Sequence, residues 1–226
     1  MSISADVDHL VVAARSLEQG RAWCEATFGI TPAAGGAHRL MGTHNRLLAI
    51  GSPRYPQAYL EIISVDPAAP PPARPRWFDL DDARLQRALS DRPRLVHFVA
   101  RCSPVAEALA GARALGIDPG DLVAADRETA SGLLRWRITI PRDGRRRFGG
   151  AFPTLIEWSG AHPSDGMDAS GVALSSLVAH DPLAPQLTAG YRAIGLRRVG
   201  AHEGRSRLVA TFETPRGTVT LDSSGT

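Results

Sequence analysis

Three times along this chain an apolar, strand-like stretch leads into an amphipathic helical stretch that stops at a glycine. The spacing is nearly constant: 20 residues from His9 to Gly29, 19 from His97 to Gly116 and 20 from Ser175 to Gly195. Recurrence at a fixed period means that one supersecondary unit has been copied, and this restricts the fold more than composition does. The helices are predicted over residues 17–28, 105–115 and 185–194. The third opens on Pro185, whose missing N–H would have no helical partner there anyway. Glycine just past each helix suits a left-handed C-terminal cap.

Three further strand-like stretches follow each glycine: 38–42, 45–50 and 59–64 in the first copy; 122–125, 132–140 and 153–158 in the second; 197–201, 206–213 and 218–221 in the third. Each unit therefore reads as strand, helix and three strands, an α+β arrangement. The division expected is a first βαβββ module over residues 1–66, a proline-rich linker over 67–92, a second module over 93–160 and a third, degenerate one over 161–226. The run from Asp66 to Pro75 is read as extended and solvated, with Trp77 and Phe78 anchoring its end.

Histidine and glutamate recur within the first two copies. His9 lies in Asp8-His9-Leu10-Val11-Val12 and Glu61 in Tyr59-Leu60-Glu61-Ile62-Ile63; His97 lies in Leu95-Val96-His97-Phe98-Val99 and Glu157 in Leu155-Ile156-Glu157-Trp158. A charged or polar group in such a stretch is costly unless paired or metal-bound. A lone pair of this kind reads as a hydrogen-bonded core histidine and an outward glutamate. Two pairs, replaced in the third copy by Ser175 and Thr220, point to a shared site that the third module lacks.

The 226 residues, 43% hydrophobic and 22% charged, suit a soluble globular chain with a full core. No run approaches the ~18 apolar residues of a membrane span, and the N-terminal residues have no signal-type segment, so no membrane partner and a cytoplasmic location are expected. All 26 basic residues are arginine, yet net charge is only +3. The one basic run, Arg142 to Arg147, contains an Asp-Gly turn signal and reads as a solvated loop. Arg147 is a candidate contact for an anionic substrate group, while nucleic acid would need a wider basic surface with aromatics. Cys24 and Cys102 read as buried thiols.

These residues, with Gly42-Thr43-His44-Asn45-Arg46-Leu47, resemble the vicinal oxygen chelate superfamily and, within it, the glyoxalase-like domain proteins. The resemblance implies tandem βαβββ modules of the glyoxalase/bleomycin resistance/dioxygenase-like fold whose curved sheets enclose a cleft. It also implies a divalent ion held by His9, Glu61, His97 and Glu157. Nitrogen and oxygen donors of this kind suit Zn, Ni, Co, Mn or Fe. A homodimer is common for that architecture.

Such an ion would polarise adjacent substrate oxygens while a glutamate moves a proton, Glu157 first and Glu61 second. His44 and Asn45 are candidate substrate contacts, although Thr43-His44-Asn45 also reads as a turn. His38, His180 and His202 are read as surface residues and His162 as part of a turn. The leading function is a metal-dependent lyase or isomerase acting on a small oxygenated molecule. Two alternatives stand beside it: an Fe(II) extradiol-type dioxygenase using His9, His97 and one glutamate, and a metal-free binding or sequestration protein.

Overall fold

The computed structural model describes residues 3–129 and 132–226. The first unit forms β1 (Ser4–Ala13), α1 (Leu17–Phe28), β2 (Ala33–His38), β3 (Thr43–Ala49) and β4 (Tyr59–Val65). After it come α2 (Ala83–Asp91), then β5 (Arg94–Ser103), α3 (Val105–Ala114), β6 (Asp121–Thr129), β7 (Gly132–Ile140) and β8 (Thr154–Trp158). The last unit is β9 (Ala173–His180), α4 (Ala184–Ala193), β10 (Gly200–His202), β11 (Arg207–Thr214) and β12 (Gly217–Asp222).

The helix limits follow local chemistry. Ser16 Oγ accepts from the backbone N–H of Gln19 at the start of α1, and Gly29 closes it at φ 75°. Gly116 and Gly195 take the same left-handed conformation after α3 and α4. One strand lies elsewhere than the sequence pattern suggests. The strand expected at 38–42 forms instead over Ala33–His38, a run of alanine and glycine with no apolar alternation, because its backbone pairs with β3. Tertiary pairing outweighs residue preference here.

β1 to β8 make one eight-stranded sheet in the order β2-β3-β4-β1-β5-β8-β7-β6. In each half the first strand runs parallel to the last, β1 beside β4 and β5 beside β8, and antiparallel β1–β5 pairing joins the halves. One face packs against α1, α3 and the second sheet through Phe28, Leu60, Phe98, Leu109, Leu155 and Phe212. The two cysteines are buried on this side, their thiols pushed up to about 12 chiefly by desolvation. The other face is lined by Val11, Ile63, Val99, Ile138 and Ile156 and carries the cavity described below.

The third unit keeps the order of elements but changes their pairing. Its sheet runs β10-β9-β11-β12, so β9 lies between its second and third strands and the last strand never meets the first. It shares the main core through Leu174, Leu177, Leu208 and Phe212. Among the described residues no helix is long and apolar enough to cross a membrane.

Residues 67–75 are irregular and mostly exposed, but the remainder of the expected linker is folded. Trp77, Phe78 and Leu80 are buried against the open face of the large sheet. Asp82 caps α2 by accepting from the N–H groups of Arg84 and Leu85, and Leu85 and Leu89 turn inward. The acidic residues here are all engaged: Asp79 pairs with Arg146, Asp81 with Arg76, and Asp82 is the cap.

Candidate active site

A β-bulge sets the site. Val7 pairs with Ala100 and His9 with Val99, which leaves Asp8 without a partner on β5. The extra residue lets Asp8 meet its neighbour instead of facing away from it. His9 Nδ1 donates to Asp8 Oδ1 at 2.6 Å, which turns Nε2 toward Glu61 Oε2 at 3.6 Å. The other Asp8 oxygen accepts from Trp158 Nε1 at 2.9 Å and His162 Nε2 at 3.0 Å. Burial drives the Asp8 carboxyl upward, but the bonds from His162 and His9 outweigh it and hold it well below the usual carboxylate range.

Glu61, on β4, is held from the opposite side. Asn45 on β3 donates its amide N–H to Glu61 Oε1 at 2.6 Å and accepts from the Gly36 N–H at 2.8 Å. His38 Nε2 lies 3.7 Å from the same Glu61 oxygen, and its Nδ1 is 3.0 Å from Thr43 Oγ1. Desolvation lowers His38 to about 4, against a smaller upward pull from Glu61. Tyr59 stacks on His9 with ring centroids 4.6 Å apart, and burial, followed by the Asp8 and Glu61 carboxylates, pushes its phenol well above the usual range.

Gly35 and Gly36 permit this arrangement. A Cβ at position 35 would stand 2.0 Å from Asn45 Oδ1, and one at position 36 would stand 2.8 Å from Arg127 Nη1. The resulting cavity has an inner recess of about 40 Å3 bordered by His9, Glu61, Asn45 and Tyr59. It opens past His38, Trp77, Arg127 and Trp136 into a vestibule of about 900 Å3.

Of the expected site residues, the structure brings together His9, Glu61 and Asn45. His97 and Glu157 stand apart from them. His97 Nδ1 donates to Gly150 O at 3.1 Å, while Nε2 accepts from the Thr154 N–H at 3.0 Å, so both ring nitrogens are committed to the loop before β8. Desolvation first and Arg146 second lower this imidazole to about 3. Glu157 accepts from Arg137 and from the N–H of Val105, where it caps α3. Burial raises its carboxyl, yet the bonds from Arg137 and Val105 hold it below its ordinary value.

Strand register explains the difference between the two halves. Val11, two residues after His9, pairs with Glu61, whereas Val99, two after His97, pairs with Thr154. Glu157 is three positions further along β8, an odd step that turns it to the opposite face.

His44 and Arg147 also lie outside the recess. His44 faces away from Asn45, 3.9 Å from Asp66. Arg147 donates to Asp118 O and pairs with Asp143. In the other direction, His38 is a half-buried cavity residue rather than a surface one, and His162 both opens its turn and reaches Asp8.

The four-residue metal set therefore does not fit. Among the described residues no group of three or more histidine, cysteine, aspartate or glutamate side chains is disposed to hold a metal ion. The three-ligand iron set fails for the same reason, since His97 has no free nitrogen. What remains is an imidazole fixed by a carboxylate and facing a second carboxylate at the floor of a cavity, an arrangement suited to proton transfer.

A family model described as "Glyoxalase-like domain" matches residues 7–195. A search of curated proteins finds no match. Among solved structures, a hypothetical protein from Staphylococcus aureus is similar with TM-score 0.55 and 10% identity, over 96% of this chain and 85% of that one. A variant of Streptomyces coelicolor methylmalonyl-CoA epimerase in complex with 2-nitronate-propionyl-CoA gives TM-score 0.42 and 16% identity, over 71% and 99%. A mutant of 4-hydroxymandelate synthase from Streptomyces coelicolor gives 0.45 and 12%, over 98% and 63%. At 10% identity the first of these speaks for the fold alone, and the other two, with TM-scores below 0.5, carry no argument.

Proposed function

The chain belongs to the glyoxalase-like domain family of the vicinal oxygen chelate superfamily, and we propose that it acts on a small oxygenated molecule by proton transfer, as a lyase or isomerase. The observation that carries this reading is the line from Asp8 through His9 to Glu61 at the cavity floor. Asp8 selects the tautomer with hydrogen on Nδ1 and leaves Nε2 free toward the recess. Asn45 holds one Glu61 oxygen and leaves the other toward His9. Glu61 Oε2 is then placed to take a proton from a carbon next to a carbonyl. The Nε2 of His9, 3.6 Å from Glu61 Oε2, then accepts that proton and delivers it to the same or the neighbouring atom. Burial of the recess strengthens each of these interactions.

The test is hydrogen exchange in deuterated water with a panel of 2-oxo and 2-hydroxy carbonyl compounds, followed by proton NMR. The reading expects catalysed α-exchange with at least one compound, slowed by roughly a hundredfold or more in Glu61→Gln and His9→Gln. Binding without exchange across the panel would favour the second reading, a metal-free binding or sequestration protein. That reading draws on the aromatic walls contributed by Trp77, Trp136 and Trp158.

A further inference from the structure

We propose that Arg127 makes this cavity selective for carboxylates that carry an apolar or aromatic body. The proposal deepens the proton-transfer reading and takes the location of the site from it. Arg127 sits on β6, at one edge of the large sheet, and reaches β2 at the other edge, where Gly36 leaves room for its guanidinium. Its Nε is buried and has no hydrogen-bond partner, and no carboxylate pairs with it among the described residues. Four arginines on the neighbouring strands and loops are matched, Arg137 with Glu157, Arg142 with Asp121, Arg146 with Asp79 and Arg147 with Asp143, while Arg39, which also borders the vestibule, is exposed to solvent. A buried donor left unpaired is costly, and a planar guanidinium is shaped to take both oxygens of a carboxylate.

The position of Arg127 fixes where that carboxylate would lie. It borders both the inner recess and the vestibule, so an anion bound there stands at their junction. The recess, about 40 Å3 against the roughly 10–15 Å3 that one water requires on the same measure, admits only a few atoms. A larger body must occupy the vestibule, whose wall is Trp77, Val123, Trp136, Ile138 and Ile140, with Leu40 and Leu133 exposed at its rim. Asp126 and Glu128 also border it but are turned to solvent. The ligand chemistry that satisfies all of these features is a reactive head of a few atoms, a carboxylate beside it and an apolar tail.

Isothermal titration with 4-phenyl-2-oxobutanoate, its ethyl ester and pyruvate tests this. The phenyl acid should bind the unaltered protein, with the ester and pyruvate each weaker by roughly tenfold or more. Arg127→Met should weaken the acid by a similar factor and leave the ester unchanged. The ester comparison uses the unaltered protein and so does not depend on how the variant folds. Equal binding of acid and ester, indifference to Arg127→Met in a folded variant, or no binding of the acid at millimolar concentration would overturn the proposal. Arg127-dependent binding without α-deuterium exchange would sink the proton-transfer reading and leave the carboxylate site standing. Exchange of the ester with no dependence on Arg127 would do the reverse.

Discussion

Asp8 and His9 are consecutive in a β-strand, yet their side chains meet, with His9 Nδ1 donating to Asp8 Oδ1 at 2.6 Å. A strand without a bulge would send them to opposite faces. The same carboxylate takes Trp158 Nε1 and His162 Nε2, so it ties the first module to the end of the second and to the turn beyond it. Asp8→Asn retains the volume but removes the charge that orients His9. We expect exchange activity to fall by roughly a hundredfold or more and stability by about 3 kcal/mol. NMR exchange rates and urea midpoints measure the two effects, and an active, equally stable variant would contradict the role given to Asp8.

The two glutamates singled out by the sequence pattern should behave differently. Glu61→Gln replaces the group facing His9 and should abolish exchange. Glu157→Gln weakens a half-exposed pair with Arg137 and the cap on α3, so it should cost about 1 kcal/mol and leave exchange intact. Equal loss of activity in the two variants would mean that both carboxylates serve one centre.

Gly35→Ala should act on the site without touching a reacting group. The added methyl would overlap Asn45 Oδ1 and stand 2.6 Å from the Asn45 backbone oxygen, so Asn45 would have to release Glu61 and β2 would have to shift on β3. The expected result is a tenfold or greater loss of exchange with a modest fall in stability of about 1–3 kcal/mol. A comparison of kcat and KM on the exchanging compound checks it; the loss should fall mainly on kcat.

Stability should depend on acidity through the buried histidines. Burial lowers His97 to about 3 and His38 to about 4, from 6.5. Below about 6.5 the unfolded chain takes up protons that the folded chain refuses, so folding is fully supported above that pH and loses support as pH falls toward 4 and then 3. The Asp8 carboxyl, held low in the fold, adds a further loss only below its ordinary value of 3.8. Urea midpoints measured across this range should decline steadily, and His97→Gln should flatten the decline. A constant midpoint between neutral pH and about pH 4 would contradict the assignment.

The three repeated helices, their glycine caps and the first His–Glu pair could be read from the sequence, because each rests on local spacing, whereas α2 went unread within the expected linker. Strand register did not show. Glu157 occupies the position in its module that Glu61 suggests, but three extra residues beyond Thr154 turn it to the helix side, and that offset comes from pairing rather than composition. His97 looks like a ligand in the one-dimensional pattern and serves as a clamp on the loop from Gly150 to Thr154.

His38 gave no signal because its strand is built of alanine and glycine. The adjacent Gly35-Gly36 is the one local hint that a side chain crosses there. Arg127 comes from the far edge of the sheet, and only the curvature of the eight strands brings it near Gly36. The third unit could be recognised by its element order, whereas its different pairing could not.

The most direct measurement is α-deuterium exchange by chelator-treated protein, run beside His9→Gln, Glu61→Gln, His97→Gln and Glu157→Gln. The account predicts that exchange survives chelation, disappears in the first two variants and persists in whichever of the last two remain folded. Exchange that vanishes on chelation, returns with a divalent ion and is lost equally in all four variants would contradict it.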